Sequence, residues 1–298
     1  MGHDPRLTGA DQNRVAITGA SGFVGAQLVD RFEHAGWSVT RFTRAAGEGA
    51  GGTVRFRLAD EVNPDDFRSR RIAALVHCAY DFGPVTWSDI RRVNVEGSRR
   101  LMAAARAGGV ETMVVISTIS AFAGCRSLYG RAKLEIEAAA ADAGAFVVRP
   151  GLVYGDVPTP VGGMFGSLMK SVRAPLVPLI DGGVHPQYLV HVDDLFGLVS
   201  RLCAGDLGEP AGPIVAASSR AWPMRELLRE LARRQRRAPR FIGVPWQAVW
   251  AGLKLAELAR LRLGYRSDSV VSLVHQDPRP DFGSLSELGV GVRDFSGR

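Results

Sequence analysis

The regular alternation of short apolar segments with helical patterns from Arg14 to Pro150 constrains the fold more than any other feature of the sequence. The β-branched, apolar segments predict six strands: "RVAIT", "SVTRFT", "TVRFR", "AALVHCA", "TMVVIS" and "AFVVRP". Helical patterns lie between them, at Gly22 to Ala35, near Pro64 to Arg70, at Trp87 to Gly108 and at Ser127 to Ala143. Because strand–helix alternation requires crossovers, we expect an α/β fold with a doubly wound parallel sheet covered by helices on both faces.

The rhythm loosens after Pro150, which divides the chain into three expected parts. These are a flexible leader at 1–13, a sheet domain at 14–155 and a smaller substrate-binding lobe at 156–298, partly interleaved with the sheet domain. The predicted elements of the lobe are a strand "QYLVHV", a helix from Asp193, a strand "GPIVAA" and helices around Met224–Arg237, Pro245–Leu263 and Ser267–His275. Ligands bind beyond the carboxyl ends of such strands, so we expect substrate between domain and lobe.

Composition narrows the classes of function. The chain is 46% hydrophobic and 22% charged and has no run of eighteen apolar residues, which argues against an integral membrane segment. The leader has no apolar signal region, and the three cysteines match no metal spacing, so we expect a cytoplasmic protein with no metal site.

Much of the net charge of +7 comes from an arginine-rich stretch at 225–240. A phosphate, nucleic-acid or membrane-surface patch is one interpretation, but the leucines within it favour the solvated face of an amphipathic helix, so we expect no nucleic-acid partner. The stretch "PWQAVWAGLKLAELARLRLG" places Trp246, Val249, Trp250 and Leu253 at helical spacing. That spacing predicts a core-facing stripe, with a membrane-surface helix as the alternative.

The glycines of "VAITGASGFVGAQL" follow the first strand directly and enter the first helix. Gly19 permits a tight turn, Gly22 lets backbone approach a pyrophosphate, and Gly25 lets the helix pack close to the sheet. The amino terminus of the helix then offers free N–H groups to phosphate. This strand–turn–helix context predicts a Rossmann-type dinucleotide site.

The end of the second strand indicates which dinucleotide binds. An NAD site places a carboxylate there for the ribose hydroxyls, whereas this chain has Thr43 and Arg44, with Arg41 just upstream. Because arginine suits a 2′-phosphate, we predict NADP, with NAD as the alternative.

A tyrosine and a lysine, Tyr129 and Lys133, lie four residues apart in "SLYGRAKLEIE". Residues at this spacing share one face of a helix, and a nearby ammonium favours ionisation of a phenol. The pair could therefore be an acid/base catalyst, or an ordinary surface pair.

Seven motifs occur in the order typical of one family: "TGASGFVG", "LVHCAY", "NVEGSRRLMAAA", "VVISTISAFAG", "YGRAK", "RPGLVYG" and "HVDDL". With them the chain resembles the extended short-chain dehydrogenase/reductases, also called the NAD-dependent epimerase/dehydratase family. The resemblance implies that Tyr129 is the catalytic acid/base and that Lys133 is its partner. It also implies that Lys133 holds the nicotinamide ribose, that Asp60 touches the adenine and that Asn94 fixes the geometry of the site. The cofactor-binding residues expected are Gly19, Ser21, Gly22, Phe23, Val24, Gly25, Arg44, Asp60, Cys78, Ala79, Tyr80, Asn94, Tyr129, Lys133, Pro150 and Val153.

Two positions depart from the family pattern. Counting back from Gly124 places Ile119 where a substrate-binding hydroxyl is usual, and one inserted residue brings Thr118 there instead. We expect Thr118 to be the third catalytic residue, with Ser117 and Ser120 as alternatives. Gln187 stands where sugar-nucleotide members carry arginine, which makes a nucleotide-diphosphate sugar less favoured as substrate.

Two classes of function remain open. The first is an NAD(P)-dependent oxidoreductase or epimerase that transfers a hydride on a small carbonyl or alcohol, or on a sugar-derived substrate. The second is an NADP(H)-binding sensor or assembly protein with little catalysis. The resemblance also makes a homodimer plausible, through the helices that carry Asn94 and Tyr129.

Overall fold

The computed structural model describes residues 13–44, 52–155, 162–259, 261 and 265–295. Within these ranges a seven-stranded parallel sheet forms the centre of the molecule, in the order β11-β6-β5-β4-β1-β2-β3. Its strands are β1 (Arg14–Thr18), β2 (Ser38–Thr43), β3 (Thr53–Arg55), β4 (Ala74–His77), β5 (Thr112–Ile116), β6 (Phe146–Pro150) and β11 (Ile214–Ala216). The expected doubly wound Rossmann-type α/β fold is confirmed.

Helices cover both faces of this sheet. They are α1 (Phe23–His34), α2 (Asp65–Arg68), α3 (Trp87–Ile90), α4 (Glu96–Ala107) and α5 (Leu128–Asp142). Strands β1 and β4 are buried almost throughout, as expected for strands covered on two sides. One core, around Leu28 and Phe32, packs against α1; the other, around Leu101 and Ile136, packs against α4 and α5.

The long helix predicted at Trp87 to Gly108 is not uniform. Between α3 and α4 the chain forms a π-helical segment at Arg91–Val95. Such segments are rare and frequently accompany functional sites. Here the segment carries Asn94, which is wholly buried.

The part of the chain after Pro150, called the C-terminal lobe below, contains more elements than the sequence predicts. The segment predicted as one strand forms β9 (Pro186–Gln187) and β10 (Leu189–His191). The other elements are β7 (Leu152–Tyr154), α6 (Gly163–Ser171), β8 (Leu176–Ile180), α7 (Val192–Ala204), β12 (Trp222–Pro223), α8 (Met224–Arg234), β13 (Arg240–Val244), α9 (Trp246–Leu258), α10 (Ser267–Val274) and α11 (Gly283–Glu287). In the described part of the chain, three two-stranded sheets pair β10 with β7, β12 with β9 and β13 with β8, and β11 joins the central sheet.

Two helices of the lobe, α8 and α9, contain the apolar faces that the sequence analysis predicts. Helix α8 buries Leu227, Leu228 and Leu231, as expected for an amphipathic helix. The core-facing stripe predicted for α9 is wrong, because this helix has no fully buried residue and Trp250 is 37% exposed. Helix α9 packs against the short helix α10 and not against a larger core. The apolar side chains of α9 therefore remain partly exposed to solvent.

A smaller third core holds the lobe together. It includes Phe165, Leu168, Val177, Leu227 and Phe295. Within the described ranges, no helix combines the length and apolar character needed to cross a membrane.

Candidate active site

The carboxyl ends of β1 and β4 meet at the glycine turn. Gly19 has φ +65°, and the N–H of Gly22 donates to its carbonyl oxygen at 2.8 Å. A Cβ on Gly19 would lie 2.9 Å from the Ala79 backbone, and one on Gly25 would lie 2.2 Å from the Gly19 oxygen. The turn therefore requires glycine at both positions, because backbone fills the space that a side chain would need.

Helix α1 begins directly after this turn, at Phe23. Its N-cap residue, Gly22, makes no side-chain cap hydrogen bond, so N–H groups of the first turn remain for another acceptor. Ser21 is exposed and Val24 is half-buried, while the Phe23 ring lies against Gly162. A bare backbone turn at a positive helix end fits a pyrophosphate group.

The end of β2 presents one exposed arginine. Arg44 is exposed directly after the strand, whereas the Arg41 guanidinium donates to Glu33 at 2.6 Å and is partly buried. Asp60 is exposed in the turn that follows β3. Among the residues described at this strand end, Arg44 is thus the arginine available to a ligand.

A buried histidine that the sequence analysis did not single out links β1, β4 and α4. His77 Nδ1 lies 2.7 Å from the Thr18 hydroxyl oxygen, and its Nε2 lies 2.8 Å from that of Ser98. The Thr18 hydroxyl also accepts the Ala79 N–H at 3.2 Å. Burial, assisted by the charge of Lys133, lowers the pKa of His77 to about 3. The imidazole is therefore neutral at physiological pH and holds the two strand ends together.

Asn94 fastens the loop that follows β4. Its Oδ1 accepts the Asp81 N–H at 2.7 Å, and its Nδ2 donates to the Asp81 carbonyl oxygen at 3.0 Å. The loop continues through Phe82 and Val85, which are 60% and 62% exposed. The π-helical segment places this amide under the loop, which a sequence pattern does not reveal.

Tyr129 lies in the first turn of α5, packed among aromatic rings. Its ring centroid is 4.9 Å from that of Tyr80 and 5.6 Å from that of Phe82. Burial raises the pKa of Tyr129 to about 12, against the opposing effect of a side-chain hydrogen bond with Thr118. Tyr129 is therefore a neutral phenol at physiological pH.

Lys133 lies one turn further along α5, and its Nζ donates to the Ile116 carbonyl oxygen at 2.8 Å. Burial lowers the pKa of this lysine to about 8, opposed by Cys78 and Glu137. Burial is thus the largest influence on both side chains: it raises the pKa of Tyr129 and lowers that of Lys133. Burial also raises the pKa of the Cys78 thiol to about 12, which leaves that cysteine unreactive.

The hydroxyl residues after β5 point in different directions. Ser117 donates to Glu137, whose carboxylate binds Arg149 at 2.6 Å and 2.9 Å. The Thr118 side chain lies near Tyr129 and lowers the pKa of that phenol against the effect of burial, and the Thr118 hydroxyl accepts the Ser120 N–H at 3.2 Å. Ile119, in contrast, lines a cavity beside Arg149. Thr118 is therefore the hydroxyl residue of this segment whose side chain influences the pKa of Tyr129. The Ser117–Glu137–Arg149 network was not foreseen, because its members are far apart in sequence.

The last predicted cofactor residues lie beyond β6. The Pro150 carbonyl oxygen accepts the Ile119 N–H at 3.0 Å, and Val153 is buried in the core. Helix α7, which the sequence predicts from Asp193, begins at Val192. The cap is His191, whose Nδ1 accepts the Asp193 N–H at 3.2 Å, because the helix begins one residue earlier than predicted.

Comparison with known proteins decides the family. Residues 15–211 match the family described as "NAD dependent epimerase/dehydratase family". The chain belongs to this family. It is an enzyme of the NAD-dependent oxidoreductase or epimerase type.

The proteins that this family member is similar to differ in the activities that their names state. It is 28% identical over 241 residues to a ceramide reductase from Caulobacter vibrioides, a match spanning 78% of this chain and 73% of the relative. Among solved structures it is similar to MoeE5 in complex with UDP-glucuronic acid and NAD, with a TM-score of 0.69, 22% identity and 94% of both chains covered. It is also similar to a UDP-glucose 4-epimerase from Thermotoga maritima, with a TM-score of 0.66, 20% identity and coverage of 78% of this chain and 85% of that one. These two structures support the fold.

Proposed function

We propose that this family member is an NADPH-dependent reductase of a carbonyl group on an apolar, long-chain substrate. Tyr129 is the proton donor, Thr118 helps to hold the carbonyl oxygen, and Lys133 orients the nicotinamide ribose. The observation that carries the proposal is the arrangement of Tyr129 and Lys133 on α5: the Tyr129 ring packs against those of Tyr80 and Phe82, and Lys133 lies one turn further along and donates to the Ile116 carbonyl oxygen.

The protonation state of Tyr129 favours reduction. With a pKa raised to about 12, the phenol carries its proton at physiological pH and can donate it to a carbonyl oxygen. A bound dinucleotide supplies the hydride for the carbonyl carbon. Oxidation would instead require the phenolate, which the apolar surroundings disfavour.

The substrate side of Tyr129 is apolar. Phe82 stacks on Tyr129 yet remains 60% exposed, and Val85 nearby is 62% exposed. Gln187, at the position where an arginine would favour a diphosphate, offers no charge, and its Nε2 donates to the neighbouring Pro186 carbonyl oxygen. Both features suit an acyl chain better than a nucleotide, as does the similarity to a ceramide reductase. We infer a keto form of a ceramide-type lipid as the substrate class.

NADPH is proposed as the cofactor because Arg44 is exposed at the end of β2 and no carboxylate ends this strand. A guanidinium there would bind the 2′-phosphate that distinguishes NADPH from NADH.

Turnover of a keto-ceramide by the purified protein, measured as NADPH oxidation, tests the reaction. We expect activity in the wild type and a loss of at least about 100-fold in Tyr129→Phe, because the proton donor is gone. The Kd for NADPH should change less than twofold. Tyr188→Phe, at a tyrosine packed on Phe282 rather than on Tyr80 and Phe82, is the matched control. Undiminished turnover by Tyr129→Phe would contradict the assignment.

Two further arms of the same experiment address cofactor and substrate. The Kd for NADPH should be lower than the Kd for NADH. Arg44→Ala should raise the Kd for NADPH and so reduce the ratio between the two constants. A sugar nucleotide turned over faster than the keto-ceramide would overturn the substrate class.

A further inference from the structure

The C-terminal lobe reaches the helix that carries Tyr129 through one carboxylate. Asp268, in the first turn of α10, accepts the Leu128 N–H with Oδ1 at 2.8 Å and the Tyr129 N–H with Oδ2 at 3.0 Å. These residues are 140 and 139 positions apart in the chain. The contact therefore depends on how the lobe packs against the central sheet.

The carboxylate completes the amino terminus of α5. The N-cap residue Ser127 accepts the Gly130 N–H at 3.1 Å and cannot serve the two preceding N–H groups. Asp268 takes both of them, and a negative charge at a helix amino terminus is further stabilised by the helix dipole. The first turn of α5, including the backbone of Tyr129, is thus fixed from outside the sheet domain.

The residues next to Asp268 bind two other parts of the molecule: the loop after β4 and helix α9. Arg266 donates to the carbonyl oxygens of Phe82 at 2.8 Å and Pro84 at 3.3 Å. Ser267 is buried, and its N–H and hydroxyl donate to the Glu257 carboxylate at 2.8 Å and 2.9 Å. The segment therefore contacts the loop whose Phe82 stacks on Tyr129, as well as the helix start itself.

We propose that Asp268 is a positioning residue for the reaction: it holds the backbone of Tyr129 so that the phenol meets the substrate carbonyl at the correct distance. This rests on the proposed function. A displacement of about 1 Å in a catalytic group can cost on the order of 100-fold in rate. Removal of the carboxylate should therefore lower kcat more than it raises KM.

The test compares three variants with the wild-type protein. We expect Asp268→Ala to lower kcat about 10- to 100-fold, with the Kd for NADPH and the KM for substrate within threefold. Asp268→Asn keeps one acceptor oxygen and should recover part of kcat. Ser267→Ala loses a hydrogen bond of the same segment but leaves the α5 cap intact, so its kcat should stay within twofold of the wild type.

Amide hydrogen exchange at Leu128 and Tyr129 gives a readout independent of the substrate. Both amides should exchange faster in Asp268→Ala and stay protected in Ser267→Ala. Unchanged protection in Asp268→Ala, or equal losses of kcat in Asp268→Ala and Ser267→Ala, would overturn the proposal. An inactive wild type would contradict the proposed function, whereas the exchange result would still decide whether Asp268 fixes α5.

Discussion

His77 illustrates how one buried side chain can join separate elements of the fold. It joins Thr18 on β1 to Ser98 on α4, and its burial keeps it neutral. The unfolded chain binds a proton at this imidazole below about pH 6.5, whereas the folded chain does so only near pH 3. Protons therefore favour the unfolded state between these two values.

We predict that this histidine makes the protein acid-sensitive. As pH falls from 6.5 to 4, the wild type should lose free energy of unfolding by up to about 1.4 kcal/mol per pH unit relative to His77→Gln, which cannot titrate. Urea denaturation at several pH values measures this difference. His34→Gln, at an exposed histidine, should follow the wild type. Parallel pH curves for the wild type and His77→Gln would show that the prediction is wrong.

Sequence patterns foresaw some residues of the candidate site and not others, for a physical reason. Tyr129 and Lys133 belong to one helix and one motif, so their spacing in the sequence was enough to predict that they lie on one face of that helix. His77, Glu137 and Asp268 acquire their roles from partners more than ten residues away. Only the folded chain brings those partners together.

At the scale of elements, two helical glycines differ in their surroundings: one lies at a close contact between segments, and the other faces open space. A Cβ on Gly97 in α4 would lie 2.2 Å from the Leu58 carbonyl oxygen, whereas one on Gly197 in α7 would have no neighbour within 4 Å. Gly97 therefore permits α4 to approach the chain that follows β3. Gly197 has no such task among the described residues.

The two glycines predict opposite results for one substitution. Gly97→Ala should reduce the free energy of unfolding by about 1–3 kcal/mol, because backbone must move to admit the methyl group. Gly197→Ala should increase it by roughly 0.5–1 kcal/mol, since alanine favours the helix. Thermal or urea unfolding of both variants measures the difference. A neutral Gly97→Ala, or a destabilising Gly197→Ala, would contradict this account.

Helices and strands with a clear periodic pattern of apolar residues were predictable from the sequence, whereas short elements were not. The strands and helices of the central sheet were located to within about two residues. The π-helical segment at Arg91–Val95 has no periodic signal, and the two-residue strands β9 and β12 contain proline. Pairing with each other across the fold, rather than local propensity, defines β9 and β12.

At the scale of the whole molecule, Phe295 anchors the chain near its C-terminus. It is 2% exposed, and its ring centroid lies 4.9 Å from that of Tyr154 and 5.5 Å from that of Trp222. The Arg234 guanidinium lies 4.1 Å above the same ring. Phe295 thus joins segments that come from widely separated parts of the lobe.

We predict that Phe295→Ala lowers the free energy of unfolding by about 3–5 kcal/mol, because it empties the centre of the lobe core. Phe82→Ala removes an equally large but 60% exposed ring and should cost less than about 1 kcal/mol. Urea denaturation compares the two variants. A loss for Phe295→Ala no larger than that for Phe82→Ala would exclude an anchoring role.

The position of β11 limits how this protein can be cut or recombined. This strand comes from the later half of the sequence, yet it pairs with β6 along the sheet edge. A truncated version that stops after β7 would leave β6 as an uncapped edge, open to aggregation. Chimeras that exchange substrate lobes between relatives should therefore carry β11 along with the sheet it completes.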